Sequence, residues 1–158
     1  MSGAGPAGGD GRTVAVMHGV NFDVLDRRDP SLYGGRTLRG LEEAIEGFAR
    51  EAGLSATCFQ TNSEREFVEH LHGLPGSADA IILNPGAWTH YAWAIHDALD
   101  IAALPAVEVH LSDIGAREPW RRLSVISDLC LVTIAGRGVE GYRLAMQRLA
   151  EELGVNAA

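Results

Sequence analysis

Two ionisable side chains, two positions apart, sit inside an otherwise apolar run. Glu108 and His110 lie in AVEVHL, residues 106–111. In extended backbone, residues i and i+2 leave the same face. A carboxylate there can orient the imidazole and keep it charged, as a general acid requires. A second pair lies in the charged stretch at residues 23–36, where Arg28 precedes Tyr33 by one short turn of chain. A phenol ionises near pH ~10 in water, so a tyrosine acts as a base at neutral pH only beside a cation. Asn21 and Asn84 each follow an apolar run, where an amide can serve an oxygen that gains charge. His90, Arg117 and Arg121 add polar and cationic groups in later loops. Each has a plainer reading: asparagines form turns, a tyrosine can be half-buried in a loop, and a strand histidine can be neutral and packed. His70, His72 and His96 fall in helical patterns and are expected at the surface or in packing.

Other chemistries lack their signatures. No serine or cysteine sits on a nucleophile elbow, and no Gly-rich turn follows the first strand as a dinucleotide or P-loop site needs. The histidines are not spaced as metal ligands with carboxylates, and Cys58 and Cys130 complete no metal motif. What remains is an acid–base site with cationic and amide partners.

The elements that must hold these groups alternate. Residues 13–17 (TVAVM) read as a buried strand, and residues 80–90 (AIILNPGAWTH) as a strand breaking at Pro-Gly. Further strands are expected at residues 55–60, 106–111 and 129–135. Helices are expected from Thr37 to Gly53, after a Ser63/Glu66 capping box, from Thr89 to Leu104, and over residues 142–153, with Leu144, in part Met146, Leu149 and Leu153 toward the core. The stretch at residues 23–36 is too long and polar for a plain connection and predicts a lid, with Gly34 and Gly35 as hinges. Five strands alternating with helices predict an α/β fold: a flavodoxin-like, doubly wound three-layer sandwich with a five-stranded parallel sheet in the order 2-1-3-4-5. Ligands of such sheets collect beyond the carboxyl ends of the strands. That is where the groups above converge.

The chain has 158 residues, a net charge of -8 and an apolar fraction of 46%. This fits one domain with a real core, expected over residues 12–154 between a Gly/Ala/Pro-rich tail (1–11) and a short end (155–158). The acidic balance argues against a nucleic-acid partner bound through a basic face. No run is long enough for a membrane span, and the first residues lack the cationic start and apolar centre of a signal peptide. The two cysteines are expected reduced in the core, which points to the cytoplasm.

Four motifs in order resemble the type II 3-dehydroquinate dehydratases: HGVNFDVLDRRDPSLYG, NPGAWTH, EVHLS and AREPWRR. The resemblance runs over residues 13–153. It implies a hydro-lyase that removes water from 3-dehydroquinate by trans elimination through an enolate, with no metal or organic cofactor. It implies catalytic roles for Tyr33 (base), Arg28, His110 (acid), Glu108 (orienter) and Asn21 (near the enolate oxygen). Asn84, Leu111 and Ser112 would take the substrate carboxylate; His90 and Arg121 would take hydroxyls; Asp113 would support them, and Arg117 would stand in the supporting shell or on the lid side. It further implies a small anionic cyclic substrate and a homo-oligomer, a dodecamer built of trimers. The chain departs from the pattern at His18, Val20, Asp23 and Asp26, and nearer the substrate at Asp113 and Gly115. A carboxylate at 113 beside a carboxylate-binding loop is expected to repel substrate unless a cation offsets it. Two alternatives therefore stay open: the same elimination on a modified dehydroquinate, such as an amino analogue, and a non-catalytic flavodoxin-like binding module.

Overall fold

The computed structural model describes residues 11–156. Residues 1–10 of the expected N-terminal tail, and residues 157–158, lie outside it. At the other end Val155 is no free tail: its N–H donates to Ala150 O at 2.8 Å and its side chain packs on the core.

Five strands, β1 (Thr13–His18), β2 (Ser55–Gln60), β3 (Ala80–Asn84), β4 (Ala106–His110) and β5 (Val132–Ala135), form one parallel sheet in the order β2-β1-β3-β4-β5. The central strands are buried on both faces, which is why β1 and β3 read as unbroken apolar runs. The helices are α1 (Pro30–Tyr33), α2 (Leu38–Glu51), α3 (Glu64–His72), α4 (Trp93–Ala102) and α5 (Glu140–Leu153). Val14, Val16, Ile82, Val107 and Val109 face α2 and α5, while Ala15, Met17, Ile81 and Leu83 face α3 and α4. From β1 the sheet grows outward to β2, and from β3 it grows the other way. The crevice between the ends of β1 and β3 is therefore the switch point where a ligand site is expected.

Several local expectations shift. The Thr37 side chain caps α2 by accepting from Gly40 N at 3.1 Å. Only half of the expected capping box at α3 forms: Ser63 Oγ accepts from Glu66 N, while the Glu66 carboxylate turns to the Thr61 hydroxyl 2.5 Å away. Thr61 Oγ1 accepts from Ser63 N in its place. The helix after β3 begins at Trp93, because Gly86–His90 is a 3-10 turn that holds Thr89 and His90. Residues 127–129 form another 3-10 turn, so β5 is shorter than expected and borders the sheet as an edge strand. Leu144 is 40% exposed; the buried stripe of α5 is Tyr142, Ala145, Met146 and Leu149, a phase set by the fully buried tyrosine.

The charged stretch is ordered into a 3-10 turn, Phe22–Arg27, followed by α1. Phe22 and Leu25 are buried and pin it to the α2/α5 side of the core. Asp29 Oδ1 accepts from Ser31 N at 2.9 Å to start α1. Gly34 (φ 84°) ends it in the left-handed region that glycine enters without a Cβ penalty. Both cysteines are half-buried free thiols, and burial pushes each up to about 12. No helix among the described residues is long and apolar enough to cross a membrane.

Candidate active site

A cavity of about 270 Å³ opens beyond the carboxyl ends of β1, β3 and β4. Asn21, Arg28 and Tyr33 line it from the first connection, and Asn84 and His90 from the second. His110, Leu111, Ser112, Arg117 and Arg121 line it from the third. Ten of the twelve residues singled out in the sequence thus share one space. Glu108 stands behind His110, and Asp113 is absent from the lining.

Tyr33 is held by two cations. Arg28 Nη2 donates to its hydroxyl at 2.6 Å and Arg117 Nη1 at 2.7 Å. The Arg28 guanidinium also lies 4.3 Å from the centre of the phenol ring. Two guanidiniums thus converge on one phenol oxygen. Arg117 Nη1 donates as well to Ser112 Oγ at 3.3 Å, tying the tyrosine to the end of β4. Arg117 therefore stands on the side of the Tyr33 segment, one of the two places expected for it.

Glu108 is fully buried, and its carboxylate is saturated. One oxygen meets His110 Nε2 at 2.5 Å; the other accepts from Ser124 Oγ at 2.8 Å and Thr133 Oγ1 at 3.1 Å. The i, i+2 spacing does put carboxylate and imidazole on one face. With Nε2 engaged, Nδ1 is the imidazole nitrogen left for the cavity. Ser124 and Thr133 were not legible as site residues, since no motif marks a hydroxyl that reaches a carboxylate from a distant loop or strand.

The amides are fixed in their turn. Asn21 has φ 72°, a left-handed conformation that asparagine tolerates. Its N–H donates to Asn62 Oδ1 at 2.8 Å, making Asn62 a further support that went unread. Asn84 Oδ1 accepts from Gly86 N at 3.2 Å, leaving its NH2 to donate. His90 Nδ1 bonds Leu123 O at 2.7 Å, so Nε2 is its free nitrogen. Burial holds the His90 pKa below the usual histidine value, against the raising effect of that bond. Arg121 pairs with Glu118 and lies 4.0 Å from the centre of the Trp120 ring.

The Asp113 carboxylate does not reach the cavity wall. Its Oδ1 accepts from Gly115 N at 3.1 Å, and its Cβ packs close on Gly136. Ile114 takes a place in the cavity wall instead.

Fold and site together define a doubly wound α/β protein with an arginine-bonded tyrosine and a carboxylate-bonded histidine at the switch point. The chain matches the Dehydroquinase class II family over residues 12–150. It is 43% identical to the 3-dehydroquinate dehydratase of Desulforudis audaxviator (strain MP104C) over 138 residues, 87% of this chain and 92% of that protein. It is 41% identical to the catabolic 3-dehydroquinase of Emericella nidulans, covering 88% of this chain and 91% of that one. The crystal structure of the type II dehydroquinase from Propionibacterium acnes superposes with a TM-score of 0.84 at 39% identity, covering 89% of this chain and 97% of that chain. The chain belongs to the class II dehydroquinase family.

Proposed function

We propose that this chain is a hydro-lyase converting 3-dehydroquinate to 3-dehydroshikimate and water by trans elimination through an enolate. The observation that carries the reading is the placing of a doubly cation-bonded tyrosine and a carboxylate-bonded histidine on one cavity. Tyr33, as phenolate, takes the proton from the carbon next to the ketone. The enolate oxygen is served by Asn21, by way of a water. His110, as imidazolium with Glu108 as its counter-charge, gives a proton from Nδ1 to the leaving hydroxyl. A base and an acid of opposite charge split one difficult step into two transfers. Preorganised donors around the enolate supply the main electrostatic stabilisation.

The ring carboxylate goes to the Asn84 NH2 and the backbone N–H groups of Leu111 and Ser112. His90 Nε2 and Arg121 take ring hydroxyls. The segment carrying Arg28 and Tyr33 covers the substrate and keeps water from the enolate. Both proton transfers are assigned to protein side chains, so the scheme calls for neither metal nor organic cofactor. The amino-analogue reading is not favoured, since neither Asp113 nor Gly115, the two departures behind it, lines the cavity.

Purified protein given 3-dehydroquinate is expected to form the conjugated enone, followed by its absorbance, and Tyr33→Phe is expected to abolish it. Undetectable turnover by folded wild-type protein would overturn the proposal. The same reading places the protein in the cytoplasm, in line with its free cysteines, and in a trimer-based dodecamer. Exposed Trp93, Trp120 and Leu123 provide apolar surface for such contacts. Light scattering decides the assembly.

A further inference from the structure

His18 is fully buried, and neither ring nitrogen has a hydrogen-bond partner. A buried polar group without a partner is costly, so each such group calls for an explanation. The sheet register supplies neighbours. Val16 pairs with Cys58, which puts His18, two residues further along β1, diagonally beside Cys58 on the same face. Helix α2 covers that face and brings Glu42 over the pair, with His18 Nε2 3.9 Å from Glu42 Oε1. The histidine nitrogen, the carboxylate oxygen and the Cys58 sulfur all lie within 4.8 Å of one another. None of the three lines the active-site cavity.

We propose that His18, Glu42 and Cys58 form a binding site for a divalent, borderline-soft cation of the Zn²⁺ class, separate from the catalytic cavity. Nitrogen, sulfur and oxygen donors around such an ion at ordinary bond lengths stand about 3.3–3.7 Å apart. From separations of up to 4.8 Å the donors need to close by about 1.5 Å at most, by rotation of the Glu42 and Cys58 side chains toward His18. Charge also favours the cation. Burial, and then Glu46 one helical turn away, raises the Glu42 pKa against the opposing pull of Arg39; like charges at this spacing are unfavourable, and a bound cation relieves them. One Zn²⁺ with a thiolate and a carboxylate makes a neutral cluster, suited to a half-buried place. On binding, the Cys58 S–H bond breaks, the sulfur–metal bond forms and the proton passes to solvent. His18 contributes a neutral imidazole, because burial pushes its pKa down to about 4. Glu42 reaches the surface, its side chain 27% exposed, and marks the way in. Water completes the coordination shell.

The test uses the full chain, stripped with a chelator and then titrated with Zn²⁺ against a chromogenic indicator, and separately with Co²⁺. The wild type is expected to take up one Zn²⁺ per chain, to melt at a higher temperature with Zn²⁺, and to show a thiolate-to-cobalt charge-transfer band. Cys58→Ser is expected to lose the band and, since even outer partners of a metal ligand are worth 10–100-fold, to lose more than about 100-fold in affinity. Its turnover of substrate should persist. Glu42→Gln, at a partly exposed position, tests the same ligand set should Cys58→Ser fail to fold. Absence of stoichiometric uptake by the wild type would overturn the proposal, as would uptake undiminished in the variants.

Discussion

Arg117 Nη1 lies 2.7 Å from the Tyr33 hydroxyl, although 84 positions separate the two residues. With Arg28 Nη2 at 2.6 Å, the phenol oxygen sits between two guanidiniums. General-base catalysis is worth about 10²–10⁴ in rate, and Tyr33→Phe is expected to lower kcat by at least that range. Arg117→Ala should then lower kcat about as far as Arg28→Ala does, with KM changed less. Steady-state kinetics on 3-dehydroquinate reads this directly. A rise in KM at unchanged kcat would make Arg117 a binding residue only.

Glu108 orients His110 through a carboxylate that accepts three bonds. Glu108→Gln keeps the shape but puts an NH2 on one side of a group surrounded by donors. A drop in kcat of about 10²-fold or more is expected from the lost charge and orientation. Ser124→Ala removes one neutral donor, worth about 1 kcal/mol, and a fall in kcat of roughly five- to tenfold is expected if that loss is felt at the acid. Equal melting temperatures with unequal kcat would mark Ser124 as a positioning residue; lost stability at full kcat would mark it as structural only.

Asp113 is a separate case, because its Oδ1 accepts from Gly115 N and the residue does not line the cavity. Asp113→Asn keeps an oxygen that can accept the same bond, so KM for the anionic substrate should not move. A clear fall in KM would show that the negative charge does oppose the substrate after all.

The sheet order and the convergence of ten site residues were legible because period and strand-end position depend on local pattern and on fold topology. The hidden parts depend on contacts between distant elements. Ser124 and Thr133 reach Glu108 from 16 and 25 positions away. Arg117 could be read as a loop cation, but its aim at Tyr33 arises from where the chain runs after β4. His18, Glu42 and Cys58 have no ligand spacing along the sequence; sheet register and the crossing of α2 bring them together. The Asp113 rotamer was likewise beyond reach, since a local bond to Gly115 competes with the pocket. The phase of α5 was misread at Leu144 because Tyr142 was counted as a helix start instead of as the residue that fixes the buried face.

Gly19 holds the ends of β1 and β3 together. A Cβ there would stand 2.1 Å from Pro85 O and 2.4 Å from its carbonyl carbon, both backbone atoms that cannot rotate away. The Gly19 N–H also donates to Asn84 O at 2.9 Å. Gly19→Ala is expected to cost about 2–4 kcal/mol, read by urea unfolding, and to lower activity by parting Asn21 from Asn84. Gly34→Ala is the contrast. Its φ is 84° with no atom within 4 Å of the new Cβ, so only left-handed strain of about 1–2 kcal/mol applies. Similar losses for the two would show that close approach at Gly19 is not what limits it.

His96 links α4 to the turn before β5. Its Nε2 meets Asp128 Oδ2 at 3.1 Å and its Nδ1 meets Asp97 Oδ1 at 3.1 Å. The bond to Asp128, then that to Asp97, raises the His96 pKa above its ordinary 6.5. A group with a raised folded-state pKa binds its proton more tightly folded than unfolded. Its stabilisation is therefore complete below 6.5 and is lost as the pH rises through the folded-state value. The pair is near the surface and screened, so the contribution is on the order of 0.5 kcal/mol. Between about pH 6 and pH 8, across the ordinary histidine range, wild type should lose that much more stability than His96→Gln. Added salt should shrink the gap. Parallel stability–pH curves for the two proteins at low salt would show that His96 carries no linked proton.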